Sequence, residues 1–447
     1  MRSGMSRAWS RTSSWTGRIN SVLSMSPHFA HWGRGRPARG AGRDRRPRYE
    51  RRPSARCGRS PPHGHPPGIR AAAHQPAVTD RWKSGTAPGL AWFLASGPTA
   101  VGTPLLGWSM TRSPVQPVGA LAPLLLAPDS DSASAEDGPV LGVNRYLDVA
   151  SAPADAAHPG MTVPLAAPTD EVAEVWPADG PIRSGDHGGI RYAHSDRFLF
   201  CSARLPGSGS GAREVGRMYR ELFALLARLD YPRLVRVWNH IAGINDRTGT
   251  GEETYRDFCV GRSLALEELG MLSDMPATTV IGAAAGGVEL SLIATRGVDP
   301  VNVENPRQVP AYHYPSRYGR RAPNFARATY LPRHGDPAAR GSVLVSGTAS
   351  IIGHETRHVG DVRAQCRTAL GNVELLVGPE NLGRHGVDHA YGLADLRAAK
   401  VYVRHAEDLP AVREVCAELL PADGRVAYLR ADICRADLLV EVEGVAT

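Results

Sequence analysis

From about Val140 onward, short apolar runs alternate with longer stretches whose apolar residues recur every three or four positions, and the same order is read twice. In the first half, Arg197-Phe-Leu-Phe-Cys-Ser-Ala-Arg-Leu-Pro206 predicts a strand. Val215, Met218, Leu222, Phe223, Leu226 and Leu229 then fall on one face of a helix. Leu234-Val-Arg-Val-Trp238 predicts a strand, and Tyr255, Phe258, Cys259, Leu266 and Leu269 mark a second helix. Thr278-Thr-Val-Ile281 and Val288-Glu-Leu-Ser-Leu-Ile-Ala294 predict two closing strands.

About 150 residues later the order returns. Ser342-Val-Leu-Val-Ser-Gly-Thr-Ala-Ser350 is a strand, and Val362, Cys366, Leu370, Val373 and Leu376 mark a helix. Lys400-Val-Tyr-Val403 is a strand, and Val412, Val415, Cys416, Leu419 and Leu420 mark a helix. Arg425-Val-Ala-Tyr-Leu429 and Leu438-Leu-Val-Glu-Val-Glu443 close the unit. A strand–helix–strand–helix–strand–strand unit used twice predicts an α+β fold, each unit a mixed sheet with helices on one face. The other face of each sheet needs a cover, so the halves are expected to pack on each other or on a partner. The organisation expected is a disordered leader over 1–135, a first unit over 136–300, a connector over 301–340 and a second unit over 341–447.

Charge sharpens this division. The 447 residues carry a net +8, but residues 1–109 hold 18 basic and three acidic side chains, while the remaining 338 hold 34 basic and 41 acidic. The basicity belongs to the leader, and a mildly acidic body excludes a broadly basic nucleic-acid-binding fold. The leader is rich in Arg, Gly, Pro, Ser and His, a composition that buries too little apolar surface to offset the entropy of ordering it. Only Lys83 and Lys400 are lysines among 52 basic residues, as a GC-rich coding sequence produces, and Met110 is a plausible start. The uncharged stretch 84–111 is broken by Pro88, Pro98 and Pro104, so no membrane span is expected. Six cysteines without a CxxC pair (Cys57, Cys201, Cys259, Cys366, Cys416 and Cys434) read as small buried residues in a reducing compartment, hence a cytoplasmic location.

Candidate chemistry concentrates in two places. The connector carries Val303-Glu-Asn-Pro-Arg-Gln-Val-Pro-Ala-Tyr-His-Tyr-Pro315 and Tyr318-Gly-Arg-Arg-Ala-Pro-Asn324. A connection of this length inside a compact domain is usually functional or disordered. Its prolines fix backbone angles, Tyr312, Tyr314 and Tyr318 offer apolar rings with hydroxyl tips, and Arg307, Arg320 and Arg321 offer two-pronged grips for carboxylates. The second place is Ser346-Gly-Thr-Ala-Ser-Ile-Ile-Gly-His-Glu-Thr-Arg-His-Val-Gly-Asp361, where His354-Glu355-Thr-Arg-His358 matches the zinc-protease pattern formally. Gly353 and Gly360 weaken a helix there, and the longer metzincin form needs Gly at Asp361 and His at Ala364. The non-metal reading ends a strand at small residues and turns Glu355 into a cleft as a proton donor or acceptor; the bland one pairs Glu355 at the surface with Arg357 or Arg363.

The second unit, ending Leu-Val-Glu-Val-Glu-Gly-Val-Ala446, resembles the RidA/YjgF fold, whose members place small-molecule sites in clefts between units. From about 140 to 447 the sequence resembles the chorismatases. The resemblance rests on Val237-Trp-Asn-His-Ile-Ala-Gly-Ile-Asn245, Tyr255-Arg-Asp-Phe-Cys-Val-Gly-Arg262, Val303-Glu-Asn-Pro-Arg-Gln-Val-Pro-Ala-Tyr312 and Ser346-Gly-Thr-Ala-Ser-Ile-Ile-Gly-His354. It implies two RidA/YjgF-like units in tandem and a metal-free, cofactor-free enzyme that cleaves the enolpyruvyl ether of chorismate. The products are pyruvate and either 3-hydroxybenzoate or a trans-dihydrodiol. It further implies Glu355 as the general acid, Arg262 and Arg307 as carboxylate grips with Arg320 a weaker one, and Tyr312 and Tyr314 holding the ring. Gly261 and Thr348 are expected to line the pocket and influence the product. The partner expected is this small molecule, with neither nucleic acid nor membrane, in a monomer or small homo-oligomer. The competing readings are a RidA-type imine or enamine hydrolase and a non-catalytic aromatic-acid-binding protein.

Overall fold

The computed structural model describes residues 121–126, 138–149, 158–207, 211–272, 274–336 and 338–447. The leader expected over 1–135 lies outside these residues except for 121–126, which are not leader: β1 (Leu124–Leu126) is a strand, and Leu121 and Leu125 are buried. No helix among the described residues is long and apolar enough to cross a membrane, and the stretch 84–111 lies outside them.

The doubled unit is present. The first sheet is ordered β5-β6-β7-β10-β8-β9, from β5 (Arg183–His187), β6 (Ile190–His194), β7 (Phe198–Leu205), β8 (Arg233–Ala242), β9 (Ala277–Ala283) and β10 (Val288–Thr295). The second is ordered β11-β12-β13-β18-β16-β17, from β11 (Val301–Val303), β12 (Ala328–Leu331), β13 (Ser342–Ala349), β16 (Leu396–Val403), β17 (Arg425–Arg430) and β18 (Val440–Ala446). The two orders correspond strand for strand, including one parallel pair each, β8 with β9 and β16 with β17. The 301–340 segment is therefore more than a connector: its ends supply β11 and β12, both too short to show a period.

Helices cover one face of each sheet. On the first lie α1 (Ala212–Leu229) and α2 (Thr254–Glu268); on the second, α3 (Val362–Val377), α4 (Pro379–Arg384) and α5 (Leu409–Leu419). In α1 the predicted positions Val215, Met218, Leu222, Phe223 and Leu226 are all buried. Asp361, where the metzincin pattern has Gly, caps α3 by accepting a hydrogen bond from the Ala364 amide at 3.0 Å.

The helix-free faces answer the question of the missing cover. They meet each other and a third sheet, ordered β1-β4-β2-β3, that includes β2 (Val140–Asp148), β3 (Thr162–Leu165) and β4 (Val172–Pro177). Residues 138–177, expected within the first unit, thus form a separate wall. One core joins all three sheets: Leu141, Tyr146 and Trp176 from the small sheet, Phe200, Trp238 and Ile293 from the first, and Leu344, Tyr402 and Leu429 from the second. β2 lies so close to the first sheet that a Cβ at Gly142 would fall 2.4 Å from the Phe200 ring.

Candidate active site

The two large sheets join along a seam between β9 and the β12–β13 hairpin, laced by side chains because the strands do not pair continuously. The Ala277 amide donates to Thr329 Oγ1 at 2.8 Å, the Thr278 amide to Ser346 Oγ at 2.9 Å, and the Gly347 amide to Thr279 Oγ1 at 3.0 Å. β13 and β18 lose register between Val345 and Thr348, so Gly347 sits at an irregularity facing β18.

Glu441 of β18 lies over that glycine. A Cβ at Gly347 would fall 1.9 Å from Glu441 Oε1 and 3.3 Å from Thr279 Cγ2, so only glycine leaves room for the carboxyl group in this position. Glu441 is 4 % exposed, and its carboxyl group takes no hydrogen bond from any described side chain. Burial, reinforced by the charge of Glu443 and offset in part by Arg236 and Arg327, pushes it up to about 8. At neutral pH it is a carboxylic acid with a proton to give. The partly buried Cys434 lies beside it, its thiol pushed up by burial and then by the Glu441 charge. Cys259 and Tyr255 of α2 stand next to Cys434, and burial pushes the Tyr255 hydroxyl well above its ordinary value. On the side of Cys434 the acid is therefore lined by groups that stay neutral.

Two buried guanidinium groups of this region have no carboxylate of their own, and one of them, Arg327, is close enough to Glu441 to oppose the effect of burial on it. Arg262 of α2 is 3 % exposed; it donates to Thr278 Oγ1 at 3.4 Å, lies beside the Tyr219 hydroxyl and 5.5 Å over the Tyr219 ring, and its Nε has no partner among the described residues. Arg327, at the start of β12, is 2 % exposed, donates to the Val309 carbonyl at 2.9 Å and the Tyr314 hydroxyl at 2.8 Å, and also leaves Nε unpartnered. Neither makes an ion pair with a described residue, whereas Arg236, equally buried, reaches Glu443 at 2.5 Å. A buried cation without a counter-ion is costly, and a ligand carboxylate relieves that cost. The chemistry on offer is a buried acid and two buried anion receptors.

The expected residues divide on this map. Arg262 and Tyr314 are in the site, the latter as the hydrogen-bond partner of Arg327. Tyr312 lies beside it, coupled to Glu304, whose carboxyl burial pushes up to about 7. Glu355 is elsewhere. It stands on a small hairpin of β14 (Ile351–Ile352) and β15 (Glu355–Thr356), its side chain 48 % exposed, ion-paired with Arg317 at 3.3 Å and Arg357 at 3.2 Å. The surface pairing with Arg357 is thus what the structure shows. The hairpin also disposes of the metal-like spacing: His354, Glu355 and His358 are not on a helix, and His358 has φ 56°, so the imidazoles share no helical face.

Arg307 is corrected too. Its guanidinium donates to Asn372 Oδ1 at 2.8 Å and to the Thr368 carbonyl at 3.4 Å, which fastens the segment after β11 to α3. Arg320 is exposed and bridges Glu252 and Asp257 near the start of α2. Gly261 serves a helix crossing, since a Cβ there would meet the Ala212 carbonyl at 2.1 Å, and Thr348 pairs with Val442 on the helix side of the sheet. Sequence reasoning missed Glu441, Arg327, Gly347 and Cys434. Gly347 lay inside the small-residue segment expected to end a strand, and Glu441 fills the space a side chain there would take.

Comparisons with known proteins point to one family. A family model described as chorismatase FkbO/Hyg5-like, N-terminal, matches residues 174–294. A protein of Streptomyces hygroscopicus named 3-hydroxybenzoate synthase is 48 % identical over 309 residues, 68 % of this chain and 91 % of that one. One of Streptomyces rapamycinicus named chorismatase is 49 % identical over 277 residues, 62 % of this chain and 82 % of that one. A solved chorismatase structure is similar with a TM-score of 0.68 at 42 % identity, covering 74 % of this chain and 99 % of that one.

Proposed function

The chain belongs to the chorismatase family of chorismate-converting enzymes, and on that premise we propose that it splits chorismate into pyruvate and 3-hydroxybenzoate with Glu441, rather than Glu355, as the general acid. The observation that carries the assignment is the buried Glu441 carboxyl over Gly347, which burial pushes up to about 8, together with two buried arginines, Arg327 beside it and Arg262 on α2, that lack counter-ions among the described residues. Chorismate has a ring carboxylate and an enolpyruvyl carboxylate, two anions for Arg262 and Arg327. Its enol ether is inert until the terminal methylene carbon is protonated. Proton transfer from Glu441 to that carbon forms a C–H bond and an oxocarbenium ion, which weakens the bond between the ring and the ether oxygen. As that bond breaks and pyruvate leaves, the neighbouring ring hydroxyl attacks the same ring carbon, passing its proton to the Glu441 carboxylate and closing an epoxide; opening of the epoxide at its other carbon, with loss of the hydrogen from the carbon that keeps the oxygen, leaves 3-hydroxybenzoate, with no net uptake of water.

The surroundings favour this outcome over hydrolysis. Cys434 beside the acid, with Tyr255 and Cys259 behind it, offers no base that ionises at neutral pH to activate a water, so capture by a ring hydroxyl competes well. The relative matched over 91 % of its length is named for the same aromatic product. Acid catalysis supplies on the order of 10²–10⁴-fold, and the arginine grips supply the alignment that must provide the rest. The test is to incubate the full chain with chorismate and separate the products by chromatography. Equal amounts of pyruvate and 3-hydroxybenzoate are expected, and a non-aromatic diol overturns the product assignment. Glu441→Gln is expected to abolish turnover while still binding chorismate; retained turnover removes Glu441 from the mechanism.

A further inference from the structure

Behind the acid, on the helix-free face of the same strand, lies a buried ionic network with no part in gripping substrate. Glu443 follows Glu441 by two residues on β18, so both side chains leave the sheet on one side. Both oxygens of Glu443 are occupied. Oε1 accepts from Lys400 Nζ at 2.6 Å and the Tyr402 hydroxyl at 3.0 Å; Oε2 accepts from Arg236 at 2.5 Å and from the Thr279 hydroxyl. Lys400 is shared with Glu174 of the small sheet at 2.8 Å, and Glu174 also accepts from Asn144 at 3.0 Å. Two cations and two anions thus close the network at zero net charge. Thr279 links it to the acid, because the hydroxyl that binds Glu443 also accepts from the Gly347 amide beneath Glu441.

We propose that Glu443 is a positioning residue for this reaction, a clamped negative charge that keeps the proton on Glu441 until substrate arrives. The inference rests on the reading of Glu441 as the acid. A carboxylate held by four donors stays ionised, and although burial alone would raise Glu443, Lys400 and Arg236 hold it down at about 2. Facing Glu441 are Glu443 on its own strand, Tyr402 opposite it on β16, Arg236 from β8, Arg327 from the start of β12 and Cys434 from the loop before β18. Glu443 is the one group of this set whose charge favours the neutral acid at physiological pH. Two unit charges about 7 Å apart at an effective dielectric constant of about 20 move a proton equilibrium by roughly one to two pH units.

The experiment is the pH profile of kcat for Glu443→Gln and for the charge-balanced Glu443→Gln/Lys400→Met variant, with Glu441→Gln alongside. Without the Glu443 charge the acid loses its proton at lower pH. The alkaline limb of kcat is therefore expected to move down by about one to two pH units, kcat at pH 7 to fall about two- to tenfold, and KM to change little. The double variant leaves Arg236 and Glu174 to balance each other and supplies the measurement if the single one does not fold. A limb that stays at its wild-type pH in a folded variant, with Glu441→Gln inactive, overturns the role of Glu443 alone. Turnover retained by Glu441→Gln overturns the acid assignment itself.

Discussion

Glu441, the acid of the proposed reaction, makes the fold less stable at high pH, and the size of that effect follows from its burial. An unfolded glutamate ionises near 4.5, whereas burial pushes Glu441 up to about 8. Between those values the unfolded chain has lost this proton and the folded chain retains it, so stability falls as pH rises through the window and the loss is complete above about 8. At roughly 1.4 kcal/mol per pH unit the ceiling is about 5 kcal/mol, and relaxation with water entry brings the expected loss to roughly 2–3 kcal/mol. Glu441→Gln keeps the shape and removes the titration. Urea unfolding followed by tryptophan fluorescence should find the variant equal to wild type at pH 5 within about 1 kcal/mol and more stable by roughly 2–3 kcal/mol at pH 9. A difference that does not change between the two pH values would refute the placement of a protonated carboxyl at this position.

Three further outcomes follow from the geometry. Arg262→Met should raise KM for chorismate by about 10–100-fold while leaving the unfolding midpoint unchanged or higher, because a buried cation without a counter-ion is removed; lost stability with KM retained would assign Arg262 to the scaffold. Glu355→Gln should keep kcat within about threefold of wild type, since exposed ion pairs contribute at most ~1 kcal/mol; loss of turnover would return the acid to the hairpin. Gly347→Ala places a methyl group where Glu441 Oε1 lies, so formation of 3-hydroxybenzoate should fall on the order of 10–100-fold with a smaller change in KM, and an unchanged rate would show that the carboxyl works from another rotamer.

The periodic part of the fold was legible in the sequence because the helices and long strands obey simple rules of one buried face. Every strand and helix expected between 197 and 443 is present, with boundaries moved by a few residues. β11 and β12, with three and four residues, are too short to carry a period, and the prolines between them read as loop. Glu441 went unnoticed for a related reason. Leu438-Leu-Val-Glu-Val-Glu443 alternates as a strand with one wet face does, which sends Glu441 and Glu443 to solvent. Alternation specifies two faces but not what covers them, and here two other sheets do. A complementary hint was available in Lys400, a charge inside an otherwise apolar strand that needed an acidic partner nearby. Glu355 was favoured because it followed the small-residue segment in sequence, yet proximity along the chain placed it on the hairpin beyond the pocket. Arg262 was legible through its block, and the structure adds Arg327, which has no sequence neighbour that marks it.

The central core of this molecule is walled by three sheets, and each is a different stretch of a single polypeptide. In a ring of identical subunits, a substitution is repeated at every interface, so a change that suits one cleft is imposed on all. Here each wall can drift alone: Gly142 lets one junction be filled by an aromatic ring, while Gly347 lets another hold an ionisable acid. Because the cleft's sides are tethered covalently, dilution cannot separate them, and its integrity does not depend on the concentration of the chain.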